Sequence, residues 1–440
     1  MLPLFRDLPN LTTNKLVSMK ILVLGQGARE HAIIKSLIRT GTPAGNVIAA
    51  PGNAGINQDV RTEPNLDPNT PTAVVAFAQA EAIELVVIGP EAPLVAGVSD
   101  ALRAAGIAVF GPSQAAAQLE GSKSFAKQVM AAAGVPTGMA RECSTLAEVE
   151  AALDDLGAPY VVKADGLAAG KGVIVTSHRA AALDHAAKFI DMGILVEEFL
   201  DGQEVSLFFL SDGASVVPLS PAQDFKRAFD GDAGPNTGGM GAYSPLPWLP
   251  EDFVEEVERT VAMPTIVELA RLGTPFVGLL YCGLIVTNRG IRVIEFNARF
   301  GDPETQVVLA RLTSSLQDLL HKSATGQLAE AAEAVFGDKV AITVVLASEG
   351  YPDSSAPSRV ITGLRDAETD EHIEIAHAAT KLVGDELVST GGRVLSVVAT
   401  AETFASARNH AYAAIEKIAL EGSHYRKDIA KKVADAEESK

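Results

Sequence analysis

Residues 293–306, VIEFNARFGDPETQ, set Glu295, Asn297 and Arg299 at alternate positions and then run at once into Gly301, Asp302, Pro303 and Glu304. The apolar lead-in, residues 291–294, reads as a strand. On a strand, side chains at i, i+2 and i+4 share one face. A carboxylate, an amide oxygen and a guanidinium would then stand side by side. The first two are hard oxygen ligands of the kind magnesium takes, and the third is a fork for an anion. The solvated side of an edge strand would read the same way, so the rest of the chain must decide.

Upstream, KADGLAAGKGV (residues 163–173) places Gly166, Gly170 and Gly172 where a backbone could approach a phosphate chain closely, with Lys163 and Lys171 supplying charge. The GxxxxGK[ST] spacing of a Walker A loop is absent, and a mobile hairpin tip is the alternative. EGSKSFAKQ brings Lys123 to a helix start. LVEEFLDGQE gathers Glu197, Glu198 and Glu204 around a short strand. Backbone groups there could read an adenine edge while a carboxylate accepts ribose hydroxyls; a solvated acidic edge is the plainer reading. GPNTGGMGAYSP (residues 234–245) has too few apolar residues for core and too many glycines for a helix, so a loop is expected. Just before it, QDFKRAFDGD brings Asp224, Lys226 and Arg227 within reach of an anionic ligand.

The first part of the chain alternates apolar runs with helical stretches. KILVLGQGAREHAIIKSLI reads as strand, turn and amphipathic helix, and NVIAAPGNAG, IELVVIGPEAPLV and GIAVFGP as further short strands. This alternation predicts a parallel α/β sheet. GQGAREH fails as a dinucleotide fingerprint, because Glu30 holds the third glycine position and no acidic residue closes the second strand. It leaves a helix N-terminus with free N–H groups, suited to a phosphate or carboxylate. Farther on, ILVEEFLDGQEVSLFFLSDG predicts an antiparallel pair joined through Asp201 and Gly202, and FVGLLYCGLIVTNRGIRVIEFN a hairpin turning at Asn288, Arg289 and Gly290. A long helix is expected over residues 250–272, and a small α+β domain from about Val340.

With 440 residues, 47% of them hydrophobic and 21% charged, the chain has room for several packed domains. A net charge of −19 disfavours nucleic acid and anionic membrane surfaces as partners. Cys143 and Cys282 have no paired spacing, which argues against a disulfide framework or a zinc site. No apolar run reaches spanning length, and the first residues lack the pattern of a signal peptide. A cytoplasmic location is expected. The domain reading is a disordered extension over 1–18, an α/β substrate domain over 19–119, a nucleotide-binding domain over 120–335 with a small lid at about 137–205, and the α+β domain over 336–430. Translation could begin at Met1 or at Met19.

The order of these pieces resembles the ATP-grasp ligases. The wording is closer still: GAREHA, APGNAG, GPEAPLV, LEGSK, KADGLAAGKGV, EEFLDGQE, GPNTGGMGAYSP, EFNARFGDPETQ and TGGRVL are together similar to the phosphoribosylamine–glycine ligase family, from about Lys20 to Asp428. That resemblance implies an N-terminal parallel α/β (pre-ATP-grasp) domain, an ATP-grasp core and a small C-terminal α+β domain. It also implies ATP-dependent ligation of glycine to 5-phosphoribosylamine through glycyl phosphate. Glu295 and Asn297 would hold Mg2+ (or Mn2+), with Arg299 and Asp302 catalytic. ATP would be bound by Lys123, Lys163, Gly166, Gly170, Lys171 and Gly172, with Glu197, Glu198, Phe199 and Leu200 at adenine and Glu204 at ribose. The substrates would meet Gly27, Arg29, Glu30, Asn53, Asp224, Lys226, Asn236, Thr237, Gly238, Gly239 and Arg393. The resemblance further implies a monomer making at most transient contact with neighbouring purine-pathway enzymes.

Two departures stand out. Between HAAKFIDMG and ILVEEF the chain is shorter than the family pattern, which trims part of the expected lid. Phe225 stands where many relatives have His in QDHKR, so no role is assigned to it. Two other readings remain: a different ATP-grasp carboxylate–amine ligase or carboxylase, and a nucleotide-binding regulator that has lost catalysis. The intact Glu295, Asn297 and Arg299 weigh against the second.

Overall fold

The computed structural model describes residues 19–166, 172–331, 333–354 and 357–439. The expected extension over 1–18, and Gly170 and Lys171 of the glycine-rich loop, lie outside the described residues.

The first sheet holds β1 (Ile21–Gly25), β2 (Val47–Pro51), β3 (Arg61–Thr62), β4 (Leu85–Ile88) and β5 (Ala108–Phe110), all parallel in the order β3-β2-β1-β4-β5. Every residue of β1 and β4 is buried, as expected for strands covered by helices on both faces. Helix Ala28–Arg39 follows β1 directly.

A second sheet, β6 (Ala140–Cys143), β7 (Tyr160–Ala164), β8 (Val173–Thr176) and β9 (Ile194–Glu197), is antiparallel in the order β6-β9-β7-β8. With helices Leu146–Leu156 and Arg179–Phe189 it closes its own small core around Val149, Leu153, Val162, Ala182, Ile194 and Val196. The shortened stretch before Ile194 is spanned by one 3-10 turn, Ile190–Met192, and Gly193.

The central antiparallel sheet runs β11-β10-β16-β17 from β10 (Gln203–Asp212), β11 (Val216–Pro218), β16 (Val277–Thr287) and β17 (Gly290–Asn297). The hairpin between β16 and β17 turns at Asn288 and Arg289, as expected. The expected β9–β10 pairing does not form, because β9 pairs with β6 and β7 while β10 pairs with β11 and β16. Residues 198–202 instead lie outside any strand and carry the chain from one sheet to the other. A Cβ on Gly202 would lie 2.1 Å from the Val286 carbonyl oxygen, so the position needs glycine for close approach rather than for a turn.

The last large sheet is β12-β15-β18-β22-β19, built from β12 (Gln223–Asp224), β15 (Gly241–Ser244), β18 (Val340–Ala347), β19 (Ile373–His377) and β22 (Arg393–Ala401). Two-stranded ribbons β13 (Arg227–Phe229)–β14 (Ala233–Asn236) and β20 (Thr380–Val383)–β21 (Glu386–Ser389) complete the strands named here. Residues 241–244, expected as loop, are thus a fully buried strand. Pairing with β18 satisfies their backbone, which the glycine-rich composition concealed. The sheet thereby takes two strands from well before Val340 and ties the central region to the C-terminal one.

Candidate active site

A cleft of ≈ 1830 Å³ opens between the β6–β9 sheet, the central sheet and the C-terminal sheet. β17 delivers its functional side chains through an irregularity. Pairing with β16 shifts register between Gly283 and Leu284, so that Val293 and Glu295 oppose consecutive residues and Ile294 is the extra one. The bulge reverses the alternation: Ile291 and Val293 are buried before it, Phe296 after it, and Glu295 and Asn297 are turned to the cleft. Without that residue both side chains would face the core. No described residue donates a hydrogen bond to either side chain. Burial alone would raise the Glu295 carboxyl, but Lys226, Lys163, Lys123 and Arg299 outweigh it and hold it below its usual range.

Arg299, just past the strand, is fixed by Glu120 at 2.9 Å and Glu91 at 3.5 Å. Glu120 also accepts the Ala298 N–H at 2.7 Å. Neither acid was assigned a role from sequence; each sits inside a quoted motif (LEGSK, GPEAPLV), but a partner nearly two hundred residues away leaves no local trace.

Lys123 and Lys163 reach the same cleft. The Lys123 ammonium donates to the Gly166 carbonyl at 3.0 Å, and Asp165 caps the start of its helix through the Lys123 N–H at 2.5 Å. Lys163 pairs with Glu197 at 3.0 Å and donates to the Ile294 carbonyl at 3.2 Å. Lys127 shares the same Glu197 oxygen at 3.3 Å. Burial draws Lys123 and Lys127 below the ordinary lysine range, with Glu295 and Glu197 respectively opposing. Lys127 was missed, although its position four residues after Lys123 on one helix places it on the same face. The Glu197 carboxylate is therefore shared by two lysines, a contact the sequence did not suggest. Glu198 is bound by Arg289 and by the Met139 N–H at 3.1 Å. Phe199 is exposed at the cleft wall beside Leu200, and the Phe199 and Leu200 N–H groups donate to no described residue.

Glu204 pairs with Lys226 at 2.5 Å. Burial alone would lower Lys226, yet Asp224, Glu204, Tyr281 and Glu295 carry it well above its ordinary value. Burial raises the Asp224 carboxyl, Lys226 opposes, and Glu304, Glu204 and Glu295 push it further up. Beneath them Ser206 and Tyr281 each lie 3.0 Å from one oxygen of buried Glu304, a network not foreseen. Phe225 packs under the Arg426 guanidinium at 4.9 Å, and Arg426 is held by Asp232 and Asp428.

The loop after β14 is clamped from the C-terminal sheet. Arg393 donates to the carbonyls of Gly238 at 2.6 Å and Asp302 at 2.8 Å, and pairs with the Asp302 carboxylate at 3.0 Å. The Gly238 N–H donates to the Tyr351 hydroxyl. Thr237 donates twice to the Lys226 carbonyl, and Asn236 is exposed at the rim. Gly239 has φ +106°, and a Cβ there would meet Pro303 at 2.3 Å.

The N-terminal turn is held by its own side chains. Glu30 folds back under the helix start and accepts the Gly27 N–H at 2.6 Å, while Arg29 pairs with its other oxygen at 2.5 Å. The Gly27 N–H is thus taken by Glu30, while those of Ala28 and Arg29 at the helix start donate to no described residue. Asn53 is saturated: its amide donates to the Gln26 and His377 carbonyls, and its oxygen accepts from Gly55 and Ile56. Of this group only Arg29 lines the cleft, its NH1 donating to the Phe300 carbonyl at 3.1 Å.

Three family models match in succession: the phosphoribosylglycinamide synthetase N domain over 19–120, its ATP-grasp (A) domain over 121–305 and its C domain over 341–432. The chain is 64% identical over 419 residues to the phosphoribosylamine–glycine ligase of Leifsonia xyli, covering 94% of this chain and 99% of that protein. It is 57% identical over 420 residues to the Streptomyces coelicolor enzyme of the same name, with 95% and 100% covered. The crystal structure of phosphoribosylamine–glycine ligase from Thermotoga maritima superposes with a TM-score of 0.81 at 32% identity, over 94% of this chain and 100% of that one. Successive matches to all three domains, with high identity along almost the whole length, show that the chain belongs to the phosphoribosylglycinamide synthetase family.

Proposed function

We propose that the protein ligates glycine to 5-phosphoribosylamine with ATP, giving glycinamide ribonucleotide, ADP and phosphate. The observation that carries this reading is the meeting in one cleft of Lys123 and Lys163 with Glu295, Asn297 and Arg299. The glycine carboxylate takes the γ-phosphoryl group, and the amine attacks the resulting glycyl phosphate and displaces phosphate. Such chemistry calls for positioning and charge neutralisation more than for a protein nucleophile. Both cysteines are buried, in keeping with that.

In this reading Lys123, Lys163, Gly166 and Gly172, together with Gly170 and Lys171 of the loop, bind the phosphates. Glu198, Phe199 and Leu200 frame adenine, Glu204 takes the ribose hydroxyls, and Glu197 holds Lys163 in place. Arg299 stabilises the charge on the transferring group. Asp224, Lys226, Asn236, Thr237, Gly238 and Arg29 face glycine and the ribosyl phosphate, while Asp302, Gly239 and Arg393 fix the loop that shapes that end.

Glu295 and Asn297 fit a hard divalent cation, since their oxygens are open to the cleft and accept no hydrogen bond from described residues. Among the described residues no cluster of three or more His, Cys, Asp or Glu could hold a metal without help. Phosphate oxygens of the nucleotide would complete the ligand set. Bound magnesium or manganese neutralises phosphate charge. Among the described residues no helix is long and apolar enough to cross a membrane, and a cytoplasmic setting suits the substrates.

The test is ADP release with ATP, glycine and freshly generated phosphoribosylamine, leaving out each in turn. Turnover that requires all three is expected. Release that needs neither glycine nor the amine, or that bicarbonate restores in place of glycine, overturns the assignment.

A further inference from the structure

Three side chains form a hydrogen-bond line that ends at the ribose end of the cleft. Trp248 Nε1 donates to the Tyr243 hydroxyl at 3.0 Å, Tyr243 donates to Gln223 Oε1 at 2.7 Å, and Gln223 Nε2 donates to the Glu204 carbonyl at 2.9 Å. The polarity of this line is fixed at both ends. An indole N–H can only donate and a backbone carbonyl can only accept. The tyrosine must therefore pass its proton towards Gln223, and the amide must present oxygen to Tyr243 and nitrogen to β10. Tyr243 is itself held: it is 4% exposed and stacks edge-on against Phe404 of the C-terminal region at 5.4 Å. Gln223 and Tyr243 also face each other in the register of β12 and β15.

The line grips the backbone of the residue whose carboxylate meets Lys226. β10 begins at Gln203, immediately after the crossing from β9; there Glu204 pairs with Ile285 of β16 on one edge, while on the other β11 does not reach it and the Gln223 amide binds its carbonyl. We infer that Gln223, oriented by Tyr243 and Trp248, is a positioning residue that sets Glu204 for the ribose hydroxyls and thereby confers preference for ribonucleotides over 2′-deoxyribonucleotides. The inference rests on the proposed contact of Glu204 with ribose, and the experiment separates the two.

The measurement is kcat/KM for magnesium ATP and for magnesium 2′-deoxy-ATP, with glycine and phosphoribosylamine saturating. It is made for the unaltered protein, Glu204→Gln, Gln223→Met, which keeps the length of the side chain and removes both hydrogen bonds, and Tyr243→Phe, which keeps the ring. Loss of a hydrogen bond to a charged group predicts a preference for ATP of at least about tenfold in the unaltered protein. Glu204→Gln and Gln223→Met should each bring that preference close to one, with Tyr243→Phe in between and KM for ATP rising more than kcat falls. A merely structural weakening would lower both nucleotides alike and leave the ratio intact. An intact ratio in Gln223→Met beside a collapsed one in Glu204→Gln overturns the positioning role and leaves the ribose contact standing. An intact ratio in Glu204→Gln removes the ribose contact and the inference with it. Thermal unfolding of each variant identifies any that fail to fold, and Tyr243→Phe then stands in for Gln223→Met.

Discussion

Glu295 combines a charge with an absence of hydrogen-bond donors among the described residues, and only the four cations around it keep it ionised. A carboxylate placed so is poised for a further cation, and losing its charge should be felt in the reaction more than in the fold. Glu295→Gln keeps shape and removes charge, and its turnover is expected to fall at least ~100-fold, because a phosphate-neutralising ion contributes several kcal/mol to the transition state. Steady-state rates across a magnesium titration check this, and near-normal turnover at limiting magnesium would contradict it. Lys127 makes a second case. Its ammonium shares one Glu197 oxygen with Lys163, so Lys127→Met leaves Glu197 to draw on Lys163 alone. KM for ATP should rise by about three- to tenfold, on the scale of one weakened charge-assisted hydrogen bond, while KM for glycine moves little. Equal changes in both constants would mean that Lys127 acts through the fold alone.

Among the elements, legibility followed burial pattern. The parallel sheet could be read because strands covered on both faces are continuous apolar runs. The β16–β17 hairpin could be read because two apolar strands flank a short polar turn. The Asp201–Gly202 turn was misread because a local turn preference cannot report which sheet the flanking strands join, and long-range pairing of β10 with β16 decides that. β15 was hidden for the opposite reason: its glycines let backbones approach closely, as at Gly241, where a Cβ would lie 2.6 Å from the Thr343 carbonyl oxygen. Residues presented by their own local motif, such as Glu295 and Asn297, do line the cleft that the sequence suggested. Those that act by holding a distant partner, such as Glu120 on Arg299 or Gln223 on Glu204, were not legible in it. The crossing from β9 to the central sheet yields a prediction of its own. Gly202→Ala forces a methyl against the Val286 backbone, an overpacking worth about 1–3 kcal/mol. A lower unfolding temperature together with a higher KM for ATP is expected, and an unchanged protein by both measures would show that the crossing yields freely.

Across the whole molecule, the N-terminal and C-terminal sheets meet at a joint of two histidines. His31 Nε2 lies 2.8 Å from Asp59, its Nδ1 accepts the His377 N–H at 2.8 Å, and His377 Nδ1 lies 3.1 Å from the Thr380 hydroxyl. A ring nitrogen that accepts a backbone N–H has no room for a proton, so His31 is held neutral with its hydrogen towards Asp59. Burial lowers His31 despite Asp59, and burial with His31 and Lys35 pushes His377 down to about 3. Both folded values lie below the unfolded value of about 6.5, so the unfolded chain binds more protons and stability drains away as pH falls from about 6.5 towards 3. At ~1.4 kcal/mol per pH unit, His377 alone would remove about 2–3 kcal/mol between pH 6.5 and 4.5. Asp59, held down at about 2 by His31 and Lys35 against its burial, loses its contribution only at lower pH. Glu368, raised by burial, works in the opposite direction and moderates the slope. The joint also carries the Asn53 bonds to Gln26 and His377, and the C-terminal sheet that it seats supplies Arg393 to the cleft. Weakening of the joint by acid should therefore reach the active site. The unfolding temperature is expected to fall more steeply from pH 7.5 to 4.5 in the unaltered protein than in His377→Gln, and KM for phosphoribosylamine should rise over the same interval only where His377 is present. Parallel unfolding curves for the two proteins would show that these histidines do not govern the joint.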